Sequence, residues 1–413
     1  MTTTAEQKRR PLPQDGGKAF PLGQALAGWR RLVVKVGSAL VFDPGDGRPR
    51  CEWMRALAGE LASLRQEGRD VVLVSSGAIA FGRPVIAREN ARPLRLEERQ
   101  AAAAVGQIGL LGAWQEAFAA FAQPVAQILL TIGELEDRRR YVNARNTIET
   151  LLQRGVLPIV NENDTVATQE IRFGDNDRLA ARVAVLAEAD GLLLLSDIDG
   201  FYTADPRRDE TARHVPVIPA IDETIRRQAG PPAGGSIGSG GMLTKIQAAE
   251  IATRAGVAVG IADGRILHPL TALRAGGQRG TLILPQGRRG RSRKEWLKSR
   301  MLTDGILVVD EGAAAALARG ASLLPAGIRR IEGQFAIGAL VAVQSEDGRV
   351  LGQGLVGHDA ATLRRIAGKR RAQIAACLGP AADRPAIHRD DLVLMPSESG
   401  TSSQSQRQDE NDG

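Results

Sequence analysis

The sequence predicts an α/β fold: a mainly parallel sheet covered by helices on both faces, followed by a smaller strand-rich domain. Three observations carry this. Between Trp29 and Leu284, short apolar runs rich in Val, Ile and Leu alternate with longer Ala/Leu-rich segments of helical spacing. The apolar runs are continuous, as strands buried on both faces require. After a basic stretch, "QGRRGRSRKEW" from Gln286 to Trp296, the texture changes to short alternating runs broken by Gly and Pro.

The elements follow in order. "RLVVKVGSALV" is a strand, "WMRALAGELASLRQEG" a helix with a terminal Gly, and "RDVVLVSSGAIAFG" a buried strand entering a glycine turn. "EERQAAAAVGQIGLLGAWQEAFAAF" is a long helix with interior glycines. "PVAQILLT" is a strand, "YVNARNTIETLLQRG" a helix, and "VLPIVNEND" a strand that runs into an acidic loop. "DRLAARVAVLAEA" and "MLTKIQAAEIATRAG" are helices, each followed by a strand, "DGLLLLSDIDG" and "VAVGIADG". In the second domain, "DGILVVDEGAAAALARGASLLPAGI" reads as strand, helix and turn, and "GALVAVQSEDGRVLGQGLVG" as a hairpin around "EDG".

Composition bounds the function. The chain has 413 residues, enough for two or three domains, with 43% hydrophobic and 24% charged residues. Aromatics are only 3%, so the core is expected to be aliphatic. The two cysteines, Cys51 and Cys377, form no CxxC pattern, and His214, His268, His358 and His388 are scattered. A disulfide framework, a zinc site and a Ser-His-Asp triad have little support, which fits a reducing cytoplasm. No apolar run is long enough to span a bilayer, and the polar N-terminus lacks the apolar core of a secretory signal. The formal charge of +7 permits a polyanionic partner. The basic stretch that holds much of it lacks interleaved aromatics and reads as a solvated linker.

Ligands of an open parallel sheet bind outside the carboxyl ends of its strands, and four such ends carry suitable residues. In "VVKVGSAL", Lys35 interrupts an apolar strand ahead of Gly37 and Ser38. It either meets an anion or a carboxylate, or snorkels from an edge strand. In "VVLVSSGAIAFG", Ser75, Ser76 and Gly77 make an amide nest or a plain helix cap. "IVNENDTVATQEIRFGDND" gathers Asn163, Asp164, Asp175, Asn176 and Asp177 after a strand. In "GGSIGSGGMLTKIQAAE" a glycine cluster runs into a helix with Thr244 and Lys245 on its first turn. That arrangement suits a nucleotide's phosphates, although it is not a P-loop. A GxGxxG match at Gly352, Gly354 and Gly357 sits in the hairpin, outside any βαβ unit, and is discounted.

Together, "VVKVGS", "SSGAIAFGR", "AAVGQ", "YVNARNT", "VLPIVNENDTVA", "FGDNDRLAA", "SDIDGFYTADPR" and "SGGMLTKIQAA" resemble the glutamate 5-kinase family of the amino acid kinase superfamily. "VDEGAAAALARGASLLPAGI" through "LRRIAGK" and "AIHRDD" resembles a PUA domain. The resemblance implies a three-layer αβα sandwich around a mainly parallel eight-stranded sheet, then a small β-rich PUA domain. It sets expected boundaries: a disordered arm over residues 1–28, a kinase domain over 29–285, a basic linker over 286–297, a PUA domain over 298–395 and a disordered tail over 396–413.

The implied reaction is phosphorylation of the L-glutamate γ-carboxylate by ATP with Mg²⁺, the first step of proline biosynthesis in the cytoplasm. By family pattern, Lys35 contacts the phosphates, Lys245 steadies the transferring phosphoryl group from the other side, and Asp177 holds the two ammonium groups. Ser76, Asp164 and Asn176 match glutamate-binding positions. Lys35, Ser196, Asp197, Ser239, Gly240, Gly241, Met242, Leu243, Thr244 and Lys245 match ATP-binding ones. No protein metal ligand is assigned, since Mg²⁺ would ride on the phosphates. Ser38, Ser196 and Ser239 stand where the family more often has threonine, and Ala180 where serine is common. Proline as inhibitor, a homo-oligomer (dimer or tetramer) and hand-over to glutamyl phosphate reductase are also implied. The rivals are a superfamily kinase for acetylglutamate, aspartate, carbamate or UMP, and an RNA-binding protein using its PUA domain.

Overall fold

The computed structural model describes residues 20–43, 47–87, 93–166, 175–230, 241–287, 303–369, 373–374 and 384–395, except the side chains of Arg138 and Asp175. The chain divides into two compact units, Met1–Arg289 and Gly290–Gly413.

The first unit holds an eight-stranded sheet. Its strands, numbered along the chain, are β1 (Arg31–Val36), β2 (Asp70–Ser75), β3 (Val125–Leu130), β4 (Leu157–Glu162), β5 (Gly191–Ser196), β6 (Val217–Ile218), β7 (Ala258–Asp263) and β8 (Gly280–Ile283). Their spatial order is β6-β8-β7-β5-β1-β2-β4-β3. All neighbouring strands run parallel except β7 and β8. The chain leaves β1 towards β2 and leaves β5 towards β7. These adjacent central strands therefore lead in opposite directions, and a crevice opens at their carboxyl ends.

The central strands β1, β2, β4 and β5 are buried on both faces, which is why their apolar runs are continuous, whereas the edge strand β3 is partly exposed. Successive side chains still point to opposite faces. Leu32, Val34 and Val36 of β1 enter one core layer with helices α1 (Pro21–Gly28), α2 (Cys51–Gln66) and α4 (Leu96–Ala119). Val33 enters the opposite layer with α5 (Arg138–Gln153), α6 (Asp175–Leu186) and α7 (Met242–Arg254). The result is the three-layer αβα sandwich. The core is aliphatic in the main, but Trp53, Trp114, Phe118 and Phe201 are fully buried in it.

One expectation is corrected. Pro21–Gly28, expected to lie in a disordered arm, form α1, whose Leu22 and Leu26, one turn apart, are completely buried in the core. Pro21 begins this helix, where proline's fixed φ and missing N–H cost nothing. The linker boundary also shifts, because the Gln286 and Gly287 amides donate to Thr253 O at 2.9 and 3.0 Å.

Two glycines bring α3 (Ala78–Ile86) against α4. A Cβ on Gly82 would lie 1.9 Å from Ala102 O, and one on Gly106 would lie 1.9 Å from Ala78 O. Only backbones without side chains approach so closely, and the contact sets α4 beside the carboxyl end of the sheet.

The second unit holds a five-stranded sheet of β9 (Gly305–Val309), β10 (Ile328–Gly333), β11 (Leu340–Ser345), β12 (Val350–Val356) and β13 (Ile387–Leu394), in the order β10-β9-β11-β12-β13. The hairpin around "EDG" is the antiparallel β11–β12 pair. Gly352 and Gly354 of the discounted GxGxxG lie inside β12, so that motif forms no nucleotide turn.

Candidate active site

Lys35 is not on an edge strand. Its strand β1 lies between β2 and β5, and Lys35 is 8% exposed. Alternation turns it to the face of Val33, the face covered by α6 and α7. An isolated ammonium there would be prohibitively costly. Asp177, on the first turn of α6 and 1% exposed, supplies the counter-charge, with Oδ1 2.5 Å from Lys35 Nζ. Lys245, on the first turn of α7 and 6% exposed, places Nζ 3.5 Å from Asp177 Oδ2. Thr244 Oγ1 lies 3.2 Å from the same oxygen and 2.8 Å from Gly241 O. Two lysines on one carboxylate leave the trio with one net positive charge.

The electrostatics follow. Burial alone would raise the Asp177 carboxyl, but Lys245 and Lys35 outweigh it and hold Asp177 down at about 2. Burial lowers the Lys35 ammonium. Asp177 opposes that shift, while the nearby Lys245 adds to it. An anion placed against the trio would reverse the pressure on Lys35. The amino end of α7, capped by Gly241, adds the positive end of a helix dipole.

A second group surrounds Asn176. Its Nδ2 donates to Ser76 Oγ at 2.7 Å and lies 3.3 Å from Asn161 Oδ1. Asn161 Nδ2 in turn donates to Gln107 Oε1 on α4 at 2.7 Å. Among the described residues, Asn176 Oδ1 is buried and accepts no hydrogen bond. Ser75 is taken by structure, since its hydroxyl accepts the Trp114 indole N–H at 2.8 Å. The Ser76 amide donates to Val36 O, so this amide does not serve the expected nest. Gly77 turns the chain with φ +126°, which favours glycine.

The remaining expected residues sit at neighbouring strand ends. Asp164 follows β4 and lines a cavity of about 510 Å³ with Gln107, Glu162 and Asn163. Ser196 ends β5, and its Oγ lies 3.1 Å from Asp197 Oδ1, while Arg207 pairs with Asp197 Oδ2 at 2.7 Å. Met242 and Leu243 open α7 and pack on the core. Ser239 and Gly240 lie outside the described residues, as do 167–174 of the acidic loop. Among the described residues, no group of three His, Cys, Asp or Glu could hold a metal ion. Nor is any helix there long and apolar enough to cross a membrane.

Sequence reasoning passed over Asn161, Gln107 and Arg207 as site residues. For Asn161 a signal existed: an amide inside the otherwise apolar strand "LPIVNE".

The sequence profile of the amino acid kinase family matches residues 30–263, more than half of the chain and all of the strand ends above. The chain belongs to the amino acid kinase family. The PUA domain profile matches residues 305–378 of the second unit. Curated relatives within the family are named glutamate 5-kinase. One from Paramagnetospirillum magneticum is 50% identical over 369 residues, covering 89% of this chain and 99% of the relative. Another, from Rhodospirillum rubrum, is 52% identical over 362 residues, covering 88% and 96%. Among solved structures, UMP kinase from Bacillus anthracis aligns with a TM-score of 0.45 at 15% identity, over 63% of this chain and 97% of that one. As an amino acid kinase, the chain uses ATP as the phosphoryl donor.

Proposed function

We propose that this chain transfers the γ-phosphoryl group of ATP to the γ-carboxylate of L-glutamate, giving L-glutamyl 5-phosphate and ADP, the first step of proline biosynthesis. The names of its half-identical relatives support the substrate. The observation that carries the chemistry is Asp177 between Lys35 and Lys245, a buried cluster with one net positive charge at the crevice.

The acceptor carboxylate is ionised at neutral pH and needs no general base. Catalysis then consists of holding two anions together and neutralising charge as the phosphoryl group moves. Each like-charge pair at about 4 Å costs about 1 kcal/mol in bulk water and several times that in a drier site. Lys35 and Lys245 offset this repulsion. Lys35 contacts the phosphates, Lys245 steadies the transferring group, and Asp177 fixes both ammonium groups. Ser196, Asp197 and the segment Ser239 to Lys245 hold the nucleotide. Ser76, Asp164 and Asn176 hold glutamate. Mg²⁺ would arrive on the triphosphate and, when bound, neutralise part of its charge. Competitive inhibition by proline, a homo-oligomeric state, hand-over of the labile acyl phosphate to a reductase, and a cytoplasmic setting belong to the same proposal and rest on the family resemblance.

The experiment is ATP turnover with Mg²⁺ and L-glutamate, with hydroxylamine to trap the acyl phosphate. γ-Glutamyl hydroxamate from the native protein and none from Lys245→Ala is the expected result. A folded, ATP-binding protein that yields no hydroxamate overturns the substrate, and acetylglutamate, aspartate and carbamate are then tried in turn.

A further inference from the structure

The amide chain from Gln107 through Asn161 to Asn176 crosses the molecule. Gln107 belongs to α4 on one face of the sheet, Asn161 to the carboxyl end of β4, and Asn176 to α6 on the other face. Asn161 is 2% exposed, so its amide has little water with which to exchange partners. A primary amide offers two donors on nitrogen and an acceptor oxygen, and the direction of each bond in the chain constrains the next. Gln107 accepts with Oε1, which makes Asn161 donate with Nδ2 and presents Asn161 Oδ1 to Asn176. Asn176 then spends Nδ2 on Asn161 and Ser76. Its Oδ1 is left buried and without a donor among the described residues.

Run in the opposite direction, the same three side chains would end differently. A donor at position 107 would engage Asn161 Oδ1. Asn161 Nδ2 would turn to Asn176 Oδ1, and Asn176 would present N–H to the site. The direction of the chain therefore selects whether the site offers an acceptor or a donor. This bears on glutamate, given the function proposed above. At neutral pH, L-glutamate has one donor group, its α-ammonium, and four carboxylate oxygens that only accept. An orphan acceptor in the site is satisfied by the ammonium, whereas an orphan donor would bind a carboxylate and admit the amino acid in the wrong orientation.

We infer that Gln107 is a positioning residue. Acting through Asn161, it sets the polarity of the Asn176 amide and so selects ligands that bring an ammonium group to that point. Gln107 touches none of the reacting atoms in this account. The inference rests on the glutamate kinase reading, and the assay separates the two: a native protein that makes no γ-glutamyl hydroxamate defeats the reading itself.

The test compares Gln107→Glu, which can only accept, with Gln107→Lys, which can only donate, and Gln107→Met, which does neither. Glutamate KM is measured for each, together with turnover at saturating glutamate, KM for ATP and the thermal midpoint. Leaving a buried polar group mispaired corresponds to a factor of about 5 to 160 in an equilibrium constant. The expected order of glutamate KM is Lys above Met above Glu, with at least about a 5-fold gap between the extremes. ATP KM is expected to stay within about twofold, a change small against that gap. Long-range charge predicts the reverse order, because an added cation attracts the glutamate anion and an added carboxylate repels it. Equal glutamate KM values, or the reverse order, overturn the inference. A loss that tracks the thermal midpoint and strikes both substrates alike assigns Gln107 a purely structural role and overturns it too. Should Gln107→Lys fail to fold, the native protein and Gln107→Met are compared for inhibition by 2-oxoglutarate, which keeps both carboxylates and replaces the ammonium by an acceptor. The preference for glutamate over 2-oxoglutarate should shrink at least about 5-fold in Gln107→Met, and an unchanged preference counts against the inference.

Discussion

Asp177 Oδ1 lies 2.5 Å from Lys35 Nζ, with both residues at least nine-tenths buried and carried by different layers of the sandwich. This contact joins the central strand to α6, and through Asp177 Oδ2 it also reaches α7. Removing the carboxylate leaves two ammonium groups buried together. Asp177→Asn is therefore expected to destabilise the ligand-free protein by about 3 to 5 kcal/mol, the usual result of breaking a buried pair. Added ATP should restore part of that loss, because its phosphates replace the missing anion. Thermal midpoints with and without nucleotide check this; a midpoint equal to the native one would mean that Asp177 does not balance the lysines.

The same carboxylate sets an acid limit. Its value of about 2 in the fold lies below the ordinary aspartate value of 3.8, so folding is favoured by the ionised form. That stability, on the order of 2 kcal/mol, is fully present above pH 3.8 and is lost as pH falls towards 2. Acid unfolding curves of the native protein and Asp177→Asn should converge across this window. Curves that stay parallel down to pH 2 would show that the group is not shifted.

Lys35 sets an alkaline limit. Burial lowers its pKa, so it loses its proton below the ordinary lysine range. The decline of kcat/KM for ATP on the alkaline side should begin below pH 10.5. In Lys35→Arg, whose guanidinium stays charged, the decline should move to higher pH. Identical alkaline limbs in the two proteins would remove Lys35 from the pH profile.

Lys245→Ala separates binding from chemistry. Loss of a charge that acts mainly on the transferring phosphoryl group should lower kcat by about two to three orders of magnitude, with a smaller effect on ATP affinity. Turnover near the native rate would exclude Lys245 from the transition state.

Asp164→Ala should raise the glutamate KM with kcat largely kept, as expected for a substrate-binding group at the end of β4. Proline should raise the apparent glutamate KM of the native protein without lowering its limiting rate. Saturation curves that do not move on adding proline would place the inhibitor elsewhere or nowhere.

Leu26→Ala tests the corrected N-terminal boundary. The side chain is completely buried, so truncation should cost about 2 to 5 kcal/mol. A negligible change in the unfolding midpoint would return α1 to the status of a loose arm.

Much of the architecture was legible in the sequence because it depends on short-range patterns. Apolar runs such as "LVVKV" and "GLLLL", short and bounded by turn residues, read as strands covered on both sides, and the Gly-rich and acidic segments that follow them read as loops or helix starts. Those patterns already put Lys35, Asp177 and Lys245 at strand ends and helix first turns. Whether the three would meet was a different matter. Lys35 could have snorkelled from an edge, and it is buried because β2 and β5 pair on either side of it. The α1 helix was missed because eight residues with two inward leucines are too short for a periodic signal. The amide chain was invisible for the same reason in stronger form. Gln107 and Asn161 stand 54 residues apart, and Ser76 and Asn176 stand 100 apart. Side-chain type and local period are properties of neighbours in sequence. Hydrogen-bond direction and charge balance arise only when distant segments are packed against one another, and the tertiary structure alone decided them.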